Sequence, residues 1–454
     1  MKRALGSLDA LLLFALVIAR ARIDTLADLV LPNRLQDFPR APILGALLPP
    51  HSQELLKDWL TDPLGLLLLT IAFGALGAYL LVDGVGERLS AAARYRLKLA
   101  LVWAIILALV VAPSLKLILL RRVGGPASYT HDGGVIQTEE TIKLFLAGRN
   151  PYLEDYINTP LAEWGLDFRS AVYHYPYLPW TFVFSTPFYL LSNALIGWYD
   201  QRFVYLLLFI LMLALAPGLA RGPGARLGLV MVLGLNPIMG SDVIFGQNDS
   251  FVAFWVILAF WLMERKHPLV SAFAFGLACA SKPTAWFLAP FYALLLLRDE
   301  RMGHVGAWLR RGWPALVAWA VLVIPYAAWN LDALMDDVWR WSTGTATVPY
   351  QIRGWGFSNL VLAWGWVQSR LDYWPFWIPE VLACVPLLIF LLRQQWRNNT
   401  VATASWAYAL LLFVFFYLSR FLNENYLGYL LAFLALGYFA GEAGRDDRQA
   451  LAGN

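Results

Sequence analysis

Apolar residues in this chain gather in runs of about 15 to 24, the length that about 30 Å of hydrocarbon demands of a helix. They predict spans at Ala4–Ala19, Pro63–Val82, Leu97–Leu120, Tyr177–Leu195, Phe203–Leu219, Leu227–Met239 and Phe251–Met263. Further spans are expected at Leu269–Ala280, Thr284–Leu297, Trp313–Trp329, Trp374–Leu392, Val401–Leu418 and Tyr426–Phe439. The reading is an all-α, polytopic membrane bundle of about 11 to 13 transmembrane helices, with no β-barrel and no soluble domain. Basic clusters at Lys2/Arg3, Arg88/Arg94/Arg96, Arg221/Arg226, Arg265–His267, Arg298–Arg311 and Arg393/Arg397 assign the cytoplasmic side, and with it both termini. Strict alternation then fails once. The segment Tyr177–Leu195 opens Tyr-Pro-Tyr-Leu-Pro and contains Pro187, so it is expected to lie at the interface or re-enter.

Polar, non-helical stretches fall together on the non-cytoplasmic face under this map. They are the loop 121–176, the Gly246–Asp249 turn, the Ser281-Lys282-Pro283 break, the loop 330–373 and the turn Arg420–Asn425. The chain divides into N-terminal extra helices (1–96), a transmembrane core with the first outer loop (97–329) and C-terminal helices (330–454).

Composition agrees: 59% hydrophobic and 15% charged residues leave too little polar surface for a soluble globule. The net charge of +4 reports topology and implies no nucleic-acid partner. Cys279 and Cys384 both sit inside apolar runs and read as buried free thiols. Lys2, Arg3 and the apolar Leu11–Ala19 resemble a signal peptide, but the arginines after Ala19 favour a retained first helix.

Candidate chemistry sits in the polar stretches. Asp132, in Tyr129-Thr130-His131-Asp132-Gly133-Gly134, precedes a short expected helix, where it can be an N-cap or a general base, with His131 beside it to tune that base. Glu139 and Glu140 read as a solvated helix face before they read as ligands, and His174 reads equally as a substrate contact or an interfacial residue. Lys282 interrupts an apolar hairpin beside Pro283, which is costly in lipid unless it lines a polar cavity. Arg353 and Arg420 run against the positive-inside bias and suggest a bound anion; a phosphate suits a guanidinium fork. Tyr350, Trp339, Trp341 and Trp355 could stack on sugar faces. There is no Gly-rich phosphate loop, no D-x-D pair, no Cys/His metal spacing and no Gly-x-Ser-x-Gly elbow.

The order Asp132, Ala147-Gly148-Arg149-Asn150-Pro151-Tyr152, Tyr175-Pro176-Tyr177-Leu178, Gly246-Gln247-Asn248-Asp249 and Ser281-Lys282-Pro283 resembles the polyprenyl-phosphate-mannose-dependent mannosyltransferases of the GT-C superfamily. The resemblance runs from about Leu97 to the C-terminus. It implies an enzyme of the plasma (inner) membrane that moves a hexose, mannose by the resemblance, from a polyprenyl-phosphate carrier to an acceptor hydroxyl on the non-cytoplasmic face, with inversion. The acceptor is a glycolipid, a glycan or a protein. By carry-over Asp132 is the base, with His131 and Glu139 beside it, and Lys282, Arg353 and Arg420 hold the donor phosphate. His174, Tyr175, Gln247, Asn248, Asp249, Trp355 and Glu424 are the expected substrate contacts. The resemblance implies no certain cofactor; a divalent metal at Asp132 and Glu139 is left open. A transporter or flippase for a lipid-linked or anionic solute is the competing class, which the large first loop and missing inverted repeats disfavour. A protein O-mannosyltransferase is a third reading within the superfamily, but His131-Asp132 stands where an Asp-Glu pair is expected.

Overall fold

Hydrocarbon satisfies no backbone hydrogen bonds, so the apolar runs fold as helices whose interruptions must be paired inside the protein. The computed structural model describes residues 7–30, 42–47, 63–85, 88–130, 134–163, 169–298 and 305–452. Helix α1 (Leu8–Val30) and α2 (Pro63–Val85) pack beside the long α3 (Ala91–Gly124), which passes through a wider turn at Leu107–Val111. Charges fasten this corner. Lys98 Nζ lies 2.8 Å from Asp9 Oδ2 and also pairs with Asp83, which accepts from Ser7 N (2.7 Å) and Arg94 Nη2 (3.2 Å). Lys98 and Asp83 are both buried, and each is tolerable there only because the other neutralises it.

The expected first span stops at Ala19, whereas α1 carries on and delivers Arg20 into the bundle, fully buried. Its Nη1 donates to the Pro237 carbonyl (3.1 Å) and to Ser241 Oγ (2.6 Å). That carbonyl lies at a break. The expected single span Leu227–Met239 is two helices, α7 (Pro223–Gly234) and α8 (Pro237–Phe245), bent by 46°. Asn236 sits in the elbow: its Oδ1 accepts from Ile238 N and Met239 N, each 3.2 Å, and its Nδ2 donates to Gly428 O (2.7 Å). Proline at N1 and an asparagine cap explain why the chain restarts there.

The remaining helices are α4 (Gly134–Leu146), α5 (Trp180–Ile196), α6 (Arg202–Leu215), α9 (Asp249–Glu264), α10 (Pro268–Cys279), α11 (Ala289–Leu296) and α12 (Val305–Met335). After these come α13 (Ser358–Ala363), α14 (Trp377–Arg397), α15 (Val401–Leu418) and α16 (Glu424–Ala452). Two short strands, β1 (Arg353–Gly354) and β2 (Phe421–Leu422), pair in parallel, Arg353 opposite Phe421.

Hydrogen bonds tie α5 and its flanks to the 280–281 break and to the 200–202 step. Leu178 N and Trp180 N donate to the carbonyls of Ser281 and Ala280, both at 3.0 Å. Beyond its other end, Gln201 Nε2 reaches back to Ser185 Oγ (2.9 Å), and Arg202 donates to Ile244 O (3.1 Å), next to the same 246–249 turn that Lys282 contacts. Helix α5 packs Trp180 and Phe184 against Trp255 and Phe251 of α9, and Pro187 lies inside it.

Among the described residues, six helices are long and apolar enough to cross a membrane, seven if α7 and α8 count as one span. The expected spans Leu269–Ala280 and Thr284–Leu297 are shorter apolar helices here, separated by the Lys282 break. Where α10 meets α12 the backbones touch. A Cβ built on Gly276 would lie 2.8 Å from Ala315 Cα and nearer still to its carbonyl oxygen. Gly276→Ala must push the two helices apart, and we expect a loss of about 1–3 kcal/mol, read as a lower thermal midpoint of the detergent-solubilised protein.

Candidate active site

Helix α10 ends where Lys282 adopts extended backbone (φ −157°, ψ 138°) before Pro283, so its side chain leaves the helix stack and enters a polar space. There Lys282 Nζ donates to Asp249 Oδ1 (2.8 Å) and Asn248 Oδ1 (3.2 Å). Asp249 Oδ2 accepts from Asn425 Nδ2 (2.5 Å), and the ammonium lies 5.2 Å and 5.8 Å from the ring centres of Tyr426 and Tyr177. Four stretches far apart in sequence thus meet: 175–178, 246–249, 281–283 and 423–426. Gly246 makes the meeting possible. Its φ of +96° turns the chain after α8, and a Cβ there would run into Val135. Lys282 is 9% and Asp249 2% exposed, so the two charges hold each other in place. An ammonium has three N–H groups, and hydrogen bonds occupy two of them. Beside it the buried Gln247 Oε1 and Asn248 Nδ2 meet no hydrogen-bond partner among the described residues.

His131, Asp132 and Gly133 lie outside the described residues, but the elements that carry their loop are described. Glu139 does not lie on a solvated face. It is buried, with Oε1 and Oε2 each 2.8 Å from Arg121 nitrogens and Oε1 also accepting from Gln201 N (2.9 Å). The sequence shows an acidic pair on a short helix; only the fold brings Arg121 of α3 under one of the two. Glu140, by contrast, pairs with Lys143 one turn on. Arg121 continues to Asp200 Oδ2 (2.8 Å), and Arg202 grips Asp200 through Nε (2.9 Å) and Nη2 (2.8 Å). Arg202 Nη1 then donates to the carbonyls of Tyr129 (2.9 Å) and Ile244 (3.1 Å). One ionic quartet therefore ties the start of the 129–134 loop to the turn that carries Asp249. Burial by itself would raise the Asp200 carboxyl; the guanidiniums of Arg202 and Arg121 outweigh it and hold the group well below its usual range.

His174 is buried, not interfacial. Nδ1 faces Asp337 Oδ1 at 2.8 Å and Nε2 faces the Val348 carbonyl at 3.0 Å, while Tyr175 N donates to Asp337 Oδ2 (2.8 Å). The two long loops are joined here. His174, Asp336 and Asp337 have the donor types of a metal site, with Asp336 Oδ2 3.7 Å from Nδ1, but both ring nitrogens already face acceptors.

The two arginines differ. Arg353 is exposed on β1 and pairs with β2 through its backbone N, 3.4 Å from Arg420 O. Arg420 is buried, and its guanidinium donates to the carbonyls of Tyr350 (2.5 Å), Asp372 (2.8 Å) and Arg370 (3.1 Å). Burial pushes that guanidinium down to about 10, with Asp372 acting the other way. Neither arginine contacts Lys282. Trp355 is exposed and hydrogen-bonded through its backbone to Leu422, and Glu424 is exposed on the first turn of α16. The sequence reading missed Asn425, Tyr426, Arg121, Asp200, Arg202 and Asp337 as site-building residues. Asp200-Gln201-Arg202, a charged step between two apolar helices, was the available signal.

Asp200→Asn leaves Arg202 and Arg121 buried with one carboxylate fewer and should cost about 3–5 kcal/mol of stability. In the unaltered protein this contribution is fully present above the ordinary aspartate value of roughly 3.9 and is lost as pH falls through the lowered folded value. Thermal unfolding at neutral and acid pH should show the variant below the parent at pH 7 and the gap closing on acidification.

No curated protein and no solved structure matches this chain. Residues 143–298, about a third of the chain, match the family model of alpha-(1->6)-mannopyranosyltransferase, N-terminal domain. That stretch holds His174, Tyr175, the 246–249 turn and Lys282, the side chains that the fold gathers from separate helices. The match supports a mannosyltransferase domain, and with it a glycosyltransferase, in the central third of a chain rich in membrane-length helices.

Proposed function

We propose that the protein transfers mannose from a polyprenyl-phosphate carrier to a hydroxyl of a glycan or glycolipid, forming an α-(1→6) linkage on the non-cytoplasmic face. The observation that carries this reading is the Lys282–Asp249–Asn248 cluster in the matched domain, a buried ammonium with one N–H left for a phosphate oxygen. In the reaction the acceptor oxygen attacks C1 of the sugar opposite the phosphate, the C1–O bond to phosphate breaks, and a β-linked donor gives an α product. Lys282 stabilises the charge that grows on the leaving phosphate, and exposed Arg353 adds a second cation as the donor docks. The unpartnered Asn248 Nδ2 and Gln247 Oε1 suit sugar hydroxyls. The contacts of Arg420 suit it to holding the wall, and those of Glu139 to holding the loop, so the acceptor proton goes to the Asp132 carboxylate.

Purified protein given radiolabelled polyprenyl-phosphate mannose and an α-mannan or mannosylated lipid should form a longer α-linked product; no transfer from this donor would sink the proposal. Lys282→Ala should weaken donor binding roughly tenfold to a hundredfold, the worth of a lost charge-assisted contact. Unchanged affinity in a well-folded variant would remove the phosphate role. Asp132→Asn separates a base from a helix cap, because asparagine caps about as well but cannot accept a proton. It should keep donor binding and lose transfer by about a hundredfold or more.

A further inference from the structure

Five of the chain's 21 tryptophans fall in the 25 residues from Arg353 to Trp377, a stretch with only Arg353, Arg370 and Asp372 as charges. They sit on a hairpin with a small core of its own, built from Ile352, Val361 and Phe376. Phe357, Leu362, Val367 and Trp374 pack against that core, while Trp355, Leu360, Trp364, Trp366, Tyr373 and Trp377 are exposed. Three indoles form a file. Trp364 and Trp366 stack at 5.3 Å and 28°, Trp366 and Trp374 at 5.8 Å and 13°.

We propose that this hairpin is seated in the membrane–water interface, its partner being the boundary between lipid head groups and acyl chains. Three features point there. The exposed rings run without a gap into α14, which begins at Trp377 and goes on to expose Ile378, Val381, Leu382 and Val385 while burying almost none of itself in the bundle. The patch is therefore continuous with a lipid-facing span, and its depth is fixed by the start of that span. The stack also spends part of its ring surface on itself, since Trp366 packs against both Trp364 and Trp374, and the indole edges and N–H groups it leaves suit head-group level. Finally, few charges resist insertion, and Arg353 and Arg370 can keep their guanidiniums in water while their stems lie along the apolar layer.

Seating the hairpin has a consequence for the site. Arg420 binds the carbonyls of Tyr350, Arg370 and Asp372, and β1 pairs with β2 four residues before Asn425, the partner of Asp249. The hairpin and the Lys282 wall are thus one rigid piece, held at the depth of lipid head groups.

The test uses the full chain in phosphatidylcholine/phosphatidylglycerol vesicles, with Cys279 and Cys384 replaced by alanine and an NBD fluorophore on a single cysteine at Trp364→Cys or Trp366→Cys. Tyr373→Cys serves if an indole position does not fold. The fluorophore should lose most of its emission to a lipid nitroxide placed near the head group, less to one at the acyl-chain end, and little to aqueous iodide. Strong iodide quenching would show a water-facing surface and overturn the proposal. So would quenching by neither agent, which would mean that protein covers the patch. This readout needs no turnover, so it stands or falls apart from the sugar-transfer reading.

Discussion

Every helix break in this protein must find its hydrogen-bond partners inside the chain, because the surrounding hydrocarbon offers none. The elbow between α7 and α8 is met by Arg20 from α1 and Asn236 from the elbow itself. At the end of α10, Lys282 turns to Asp249 and Asn248, and Asp249 in turn is held by Asn425. Between α15 and α16, Arg420 takes up three carbonyls of the 350–372 loop. Each polar side chain closes one break, and the Lys282, Asp249 and Asn425 breaks meet, so groups that keep the fold intact also furnish a polar space for chemistry.

Burying charge is expensive, and paired charges recover only part of that cost. A bundle selected for stability alone would have no use for four charges in the Arg121–Glu139–Asp200–Arg202 quartet. Their geometry suggests what they gain: Arg202 bonds the carbonyls of Tyr129 and Ile244 together, which registers the loop that leads into His131-Asp132 against the turn that leads into Asp249. A base and a phosphate-binding cation must be placed to within a fraction of an ångström, and a bidentate guanidinium fork fixes direction as well as distance. His174 does the same for the second long loop through Asp337 and Val348.

The sequence by itself determined the all-helical membrane class, because apolar runs of spanning length leave no other fold in lipid. It also determined that Gly246–Asp249, Ser281–Pro283 and the 420–425 turn are breaks. Lysine and proline amid apolar residues are legible without coordinates because their cost is local. What only the tertiary structure decided is who pairs with whom. Glu139 and Glu140 are adjacent and chemically identical, yet Arg121 from a distant helix meets one and Lys143, one turn along the same helix, meets the other. Arg353 and Arg420 look alike on paper, but one guanidinium is exposed and the other is spent on backbone carbonyls. Helix length was similarly hidden: nothing local told α1 to run past Ala19 and carry Arg20 to an elbow some 217 positions further on. Burial and pairing are long-range properties, and a single chain records propensities and costs position by position but not which distant partner meets each cost.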